Sequence, residues 1–227
     1  MEVDITAARE MVPFPFLFKR IDACDCEISC PVNDLLKMAI RSKMDDITAM
    51  GMIYIESCEL FPSLSVKPTN TFAFELESVE LGQWIEKSLC DIPLGIKSLY
   101  FTYCEDESRD DEDSQTYSIS LFGAESFDDD FEWIFDSREL SDYSFQSQTL
   151  DKLYQIKTEI KWDFEKVAFL ENIILYSYGM LLTAKAFRFI GLKPMSRHNK
   201  KGLYIVFGVE TGSEMVPYQA LDLTDLL

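Results

Sequence analysis

The stretch from Trp162 to Leu192, WDFEKVAFLENIILYSYGMLLTAKAFRFIGL, restricts the fold more than any other part of the chain. It has no proline and, before Gly191, a single glycine, Gly179. On a 3.6-residue period Val167, Leu170, Ile174, Leu181 and Leu182 fall on one side, and Phe169, Ile173, Tyr176, Met180 and Phe187 on the other. A helix that is apolar nearly all round has to be enclosed. Lipid is a poor candidate, because only 13 uncharged residues separate Glu171 from Lys185, and a span needs about 20. Asp163, Glu165 and Lys166 stand early, Lys185 and Arg188 late, mostly in the sense that a helix dipole favours. Gly191 is a stop signal and Pro194 prevents continuation. The expectation is a buried core helix, with an apolar surface kept for a partner as the alternative.

The rest of the chain suits a core of that size, with 47% hydrophobic and 13% aromatic residues in 227. Pro13 and Pro15 in VPFPFLF predict an extended segment laid on the body of the protein. Val32 to Lys43 predicts a short helix, with Leu35, Leu36, Ala39 and Ile40 as its stripe. MIYIESCEL after Gly51 alternates like a strand. So does Thr71 to Leu81, with Phe72, Phe74 and Leu76 against Glu75 and Glu77 and a slip at Ser78-Val79; Gln83 to Leu89 adds a helical turn or two. Ile96 to Cys104, Thr116 to Phe122 (ended by Gly123) and Phe131 to Phe135 are further strand candidates. Ser147 to Phe164 fits both periods, and helix is preferred, with Thr149 as N-cap. A final strand is expected over Leu203 to Val209. The predicted fold is one α+β domain over residues 1–227, an antiparallel sheet packed against one long buried helix near the C-terminus.

Motifs for catalysis are sparse. His198 is the lone histidine, in a basic turn, and no G-x-S-x-G, Gly-rich phosphate loop or H-E-x-x-H accompanies it. Cys24, Cys26 and Cys30 stand close together without a second pair at zinc-knuckle spacing, and Cys58, Cys90 and Cys104 read as buried, reduced thiols. Asp111-x-Asp113-x-Gln115 lacks the third acid and the glycine of a calcium loop. No catalytic residue, metal ligand or cofactor is therefore assigned. Acids in place of a basic n-region argue against a signal peptide, and six scattered cysteines suit a reducing cytoplasm.

Charge is the strongest signal. The chain carries 40 acids and 21 bases, for a net charge of −19. Between Glu105 and Asp142 stand 15 acids and two bases, Arg109 and Arg138, whereas Lys185 to Lys201 holds six bases and no acid. Such a chain repels nucleic acid and anionic membrane, so neither is expected as a direct partner. Aromatics interleave with the acids at Phe127, Phe131, Trp133, Phe135 and Tyr143. Acids that steer and rings that anchor suit a basic protein surface. The expected site is Asp128, Asp129, Asp130, Glu132, Trp133 and Asp136, carboxylates mimicking phosphates with Trp133 as anchor. The expected function is a non-catalytic, cytoplasmic immunity- or inhibitor-type protein that occludes a basic partner such as a toxin or nucleic-acid enzyme. The alternatives are a structural or assembly subunit that buries PFPFLF and part of the core helix against another chain and, third, an enzyme of unassigned chemistry.

Overall fold

Val32, Leu35, Leu36, Ala39 and Ile40 recur at helical spacing, and in the computed structural model they are the buried side of α1, Cys30–Arg41. The structure describes residues 30–60, 72–90, 95–107, 115–127, 136–191, 203–211 and 214–222. VPFPFLF and the strand candidate Phe131 to Phe135 lie outside them.

The two strands expected next are helices. MIYIESCEL belongs to α2, Asp46–Leu60, whose buried residues Ala49, Met50, Ile53 and Ser57 follow a period of three to four. TFAFELESVEL opens α3, Phe74–Leu89, and Gln83 to Leu89 is simply its second half. Phe74, Glu77, Ser78, Leu81, Trp84, Ile85 and Leu89 are all buried in α3, while Leu76, assigned to the buried side of a strand, is exposed. The alternation there spans one turn and then slips; the helical period lasts 16 residues, and burial follows the longer pattern.

β1, Ser98–Glu107, and β2, Gln115–Ala124, form an antiparallel pair, and Gly123 does not end β2. A two-residue edge strand, β3 (Arg138–Glu139), follows. α4 covers Gln148–Ile160, as the helical preference required, but its N-cap is Ser147, whose hydroxyl accepts from the Leu150 N–H. Thr149 is already inside the helix. Lys161 to Asp163 then interrupt the path to the core helix, and the Asp163 carboxylate caps it by accepting from the Lys166 N–H. The core helix comprises α5, Phe164–Phe169, a π-helical segment, Leu170–Leu175, and α6, Tyr176–Ile190. It ends at Gly191, whose φ of 62° favours glycine. β4, Tyr204–Thr211, follows, and it is not the last strand: β5, Glu214–Asp222, pairs with it.

The sheet order is β3-β2-β1-β4-β5. The fold is α+β with the long helix against the sheet, as expected, but the sheet is mixed: β1 and β4 run parallel. The core helix is the cause. It carries the chain back along the sheet, so β4 enters in the direction of β1, a pairing that needs a long crossover.

By length and composition Phe164–Ile190 is apolar enough to span a bilayer, but 78% of its most apolar window is buried in the protein. Leu99, Phe101, Tyr103, Ile205 and Phe207 of the sheet share one core with buried residues of α1, α2 and α3 and of the core helix itself. Phe101 meets Phe187 edge-on and stacks on Phe207. The opposite sheet face holds a smaller cluster, Tyr100, Ala124 and Val206 with Phe122 and Phe127.

Two contacts set the position of the core helix. Tyr103 of β1 points its hydroxyl at Gly179, where an added Cβ would lie 0.8 Å from that oxygen. Glu77 of α3, 2% exposed, accepts from the N–H and the hydroxyl of Thr149 in α4, 3.0 Å each, and from the Tyr178 hydroxyl in α6. Burial and the Glu77 charge hold Tyr178 protonated far above the ordinary phenol range.

Gly179→Ala is expected to lower the unfolding free energy by about 2–3 kcal/mol through overpacking. In a Tyr103→Ala background the same methyl should cost almost nothing, because the oxygen it meets is gone. Urea unfolding of the four proteins checks this; additive losses would place the strain elsewhere.

Candidate functional site

The end of the acidic stretch, from Arg138, runs along the outer edge of β2. From Arg138 the chain runs back antiparallel to β2: Glu139 pairs with Phe122, the Leu140 N–H donates to the Leu121 carbonyl, and Ile119 and Phe145 exchange two backbone bonds of 2.8 Å. Trp84 of α3 fastens the segment by donating its indole N–H to the Tyr143 carbonyl at 2.9 Å, and its ring packs near Phe145. The Gln146 amide reaches the Glu107 carbonyl at 2.7 Å, next to the end of β1. Phe145 turns inward while Asp136, Glu139 and Asp142 stay exposed.

Of the expected site residues, Asp136 stands two residues before this paired segment, exposed to solvent. Asp128, Asp129, Asp130, Glu132 and Trp133 lie outside the described residues, as do Cys24, Cys26 and His198. Asp136 lines an open cavity of about 390 Å³ with Ile96, Gly123, Ala124, Glu125, Ser126 and Arg138. Glu105, Glu107, Glu125, Asp136, Glu139 and Asp142 are all exposed, and Asp106 is half-buried. Among these described acids, Glu105 alone forms an ion pair with a basic side chain, that of Lys157. Asp106 accepts from the Glu107 N–H, and the remaining five present their charge to solvent.

At the far end of β1 the Glu105–Lys157 pair belongs to a cluster. The Lys157 ammonium also meets Glu171 of the π-helical segment at 2.9 Å. The Tyr117 hydroxyl donates to the same Glu171 oxygen at 2.8 Å. Tyr154 donates to Gln115 at 2.8 Å, with Glu105 at 3.3 Å. The rings of Tyr117 and Tyr154 stand edge to face, 5.2 Å between centroids, and the ammonium lies 5.4 and 5.7 Å from them. Two carboxylates and two rings thus enclose one cation.

Burial opposes the charge on Lys157, but hydrogen bonds to Glu105 and Glu171 outweigh it and raise its pKa. Burial, then the charge of Glu171, drives Tyr117 far above the ordinary phenol range. The cluster ties α4 and the core helix to the sheet. A second cation, Lys185, bridges Asp46 and Glu75 at 2.7 and 2.6 Å across α2, α3 and α6.

Sequence reasoning missed both the Glu77 and the Lys157 networks, whose partners lie 72 and 52 residues apart without a motif to join them. The stretch expected to be enclosed begins at Trp162, yet Trp162 and Phe164 are 82% and 79% exposed. Cys58, Cys90 and Cys104, expected to be buried, form no disulfide; Cys90 is exposed and the other two are half-buried. Among the described residues no group of three or more His, Cys, Asp or Glu is arranged to hold a metal. No protein-family model matches the chain, and no curated protein or solved structure does.

The raised pKa values of Tyr117, Tyr154, Tyr103, Tyr178, Lys157 and Lys185 share one sign. Each group contributes stability that is complete below its unfolded pKa, about 10 for both residue types, and that is lost as pH rises toward the folded value. The melting temperature should therefore be flat around neutrality and fall steeply above about pH 10. Tyr117→Phe should cost about 1 kcal/mol at pH 7 and make the alkaline fall shallower. A parallel fall in the variant would remove Tyr117 from this linkage.

Proposed function

We propose that the protein is a non-catalytic acidic binder that covers the working surface of a basic partner protein, as an immunity or inhibitor protein does. The observation that supports this reading is the row of exposed, unpaired carboxylates at Asp136, Glu139 and Asp142 on a segment fastened along β2. A rigid row of charge is worth more to a partner than the same charge on a free chain, because little entropy is lost when it is met. The row continues in sequence into Asp128, Asp129, Asp130 and Glu132, which with Asp136 stand in for phosphates, and Trp133 supplies an anchoring ring. A net charge of −19 steers a cationic partner from a distance, and that steering weakens as salt rises.

The test takes the partner from the host's lysate at low salt and identifies it by mass spectrometry. Its association with the native protein is then compared with that of Asp136→Asn/Glu139→Gln/Asp142→Asn and of a variant with asparagine at Asp128, Asp129 and Asp130. Each variant is expected to associate about tenfold more slowly at low ionic strength and to show a flatter salt dependence, with a smaller effect on dissociation. Unchanged rates at low salt would refute the reading. A complex indifferent to both salt and charge removal would point to an assembly subunit held by apolar burial.

A further inference from the structure

α4 and the core helix form a helical hairpin, closed by the Lys157–Glu171 ion pair, with Trp162 and Phe164 at its tip. Glu171 lies in the π-helical segment, Leu170–Leu175, after which the Tyr176 N–H reaches back five residues to the Glu171 carbonyl. Segments of this kind are rare, and within an α-helix they take up one residue more than an α turn does. That extra residue sets the phase of the helix. Glu171 and Gly179 both face the sheet, Glu171 through the Tyr117 hydroxyl of β2 and Gly179 through Tyr103 of β1. They are eight residues apart, a spacing that turns two positions about 80° from each other in an unbroken α-helix. Absorbing one residue brings them to within about 20°. In an unbroken α-helix with Gly179 in the same place, Asn172 would stand where Glu171 stands.

The two halves of the helix are held unequally. α6 is fixed by Tyr178 on Glu77, by the notch at Gly179, and by Lys185 between Asp46 and Glu75. α5 is the looser half: Phe169 is buried, but Phe164, Glu165 and Ala168 are exposed. Just beyond it Glu171 meets Lys157 at 2.9 Å and the Tyr117 hydroxyl at 2.8 Å. If the segment became α-helical with α6 unmoved, each side chain of α5 would step into the place of the one before it. Asn172 would then meet Lys157 and Tyr117. Leu170 would fill the buried place of Phe169, and Phe169 would take the exposed place of Ala168.

We propose that Leu170–Leu175 is a two-register switch. In the π register Glu171 is bound to Lys157 and Tyr117, and Phe169 is buried. In the α register the neutral Asn172 side chain replaces the carboxylate, and Phe169 turns into solvent. The ion pair is the differential contact that a shift between two states requires. Releasing Glu171 from Lys157 and Tyr117 removes what the π register alone provides, and the commoner α pattern of backbone hydrogen bonds takes over. α4 is tied to the same cluster, so the change reaches the whole hairpin. This switch is independent of the acidic-binder reading.

The test exchanges the two side chains. Glu171→Asn/Asn172→Glu places the carboxylate where the α register carries it to Lys157, so this full-length variant is expected to fold in that register. Native and exchanged proteins each carry one reporter, Ala168→Cys or Phe169→Cys. Alkylation by iodoacetamide is followed by peptide mass spectrometry against the exposed Cys90 in the same sample. In the exchanged protein Phe169→Cys should react about tenfold faster than in the native background, and Ala168→Cys about threefold more slowly, because thiol reactivity follows exposure. Opposite changes at adjacent positions identify a turned helix, since loosening would speed both. Native rates at both reporters, or faster labelling at both, would overturn the switch. Deletion of Asn172 tests the phase separately, because it removes the extra residue and leaves Glu171 aligned with Gly179 in an α-helix. The shortened chain should fold and keep both native labelling rates. Failure to fold, or labelling like that of the exchanged protein, would overturn the proposal.

Discussion

A helix with apolar residues on every side cannot rest on a surface, and the architecture of this protein answers that constraint. The sheet closes one side of Phe164–Ile190, and α1, α2 and α3 close the others. Because the helix is also the crossover between β3 and β4, enclosing it brings β4 beside β1 in the same direction. The notch at Gly179 fixes how closely helix and sheet approach: glycine is a poor residue in mid-helix by about 0.5–1 kcal/mol relative to alanine, and the Tyr103 side chain fills the space it leaves.

Charge is divided between two roles. Glu77, Lys157 and Lys185 lie in or near the interior, and each bridges elements that are distant in the chain. Lys157 and Lys185 each hold two carboxylates, whereas the buried Glu77 depends on neutral donors from Thr149 and Tyr178, so its loss of either donor is the more costly. Asp136, Glu139 and Asp142 are the opposite case: they stand in water and contribute little to the fold. The backbone from Arg138 to Phe145 is nonetheless held by β2 and Trp84.

Much of the fold was readable where one period ran long enough. The stripe of α1, the strands at Ile96 to Cys104 and Thr116 to Phe122, and the core helix all emerged from pattern alone, with ends displaced by a few residues. The failures lay in short alternations. Phe72, Phe74 and Leu76 alternate with charged Glu75 and Glu77, which reads as a half-buried strand. Only the buried network around Glu77 shows that this carboxylate points inward. A buried acid is invisible to a rule that sends charge outward. β5 and the parallel β1–β4 pair escaped for a related reason, since strand pairing is a contact between distant segments.

By itself the sequence determined that a long apolar helix would be enclosed, that strands would accompany it, and that most excess charge would be concentrated between Glu105 and Asp142. These are local or additive properties, set by residue type and spacing. Tertiary structure alone decided that Arg138 to Phe145 run along the edge of β2, that Glu105 is neutralised by Lys157 while its neighbours are not, and that Trp162 and Phe164 stand in solvent at a hairpin tip. Exposure and pairing depend on which distant residue arrives to cover a side chain, and no periodicity within one segment encodes that arrival.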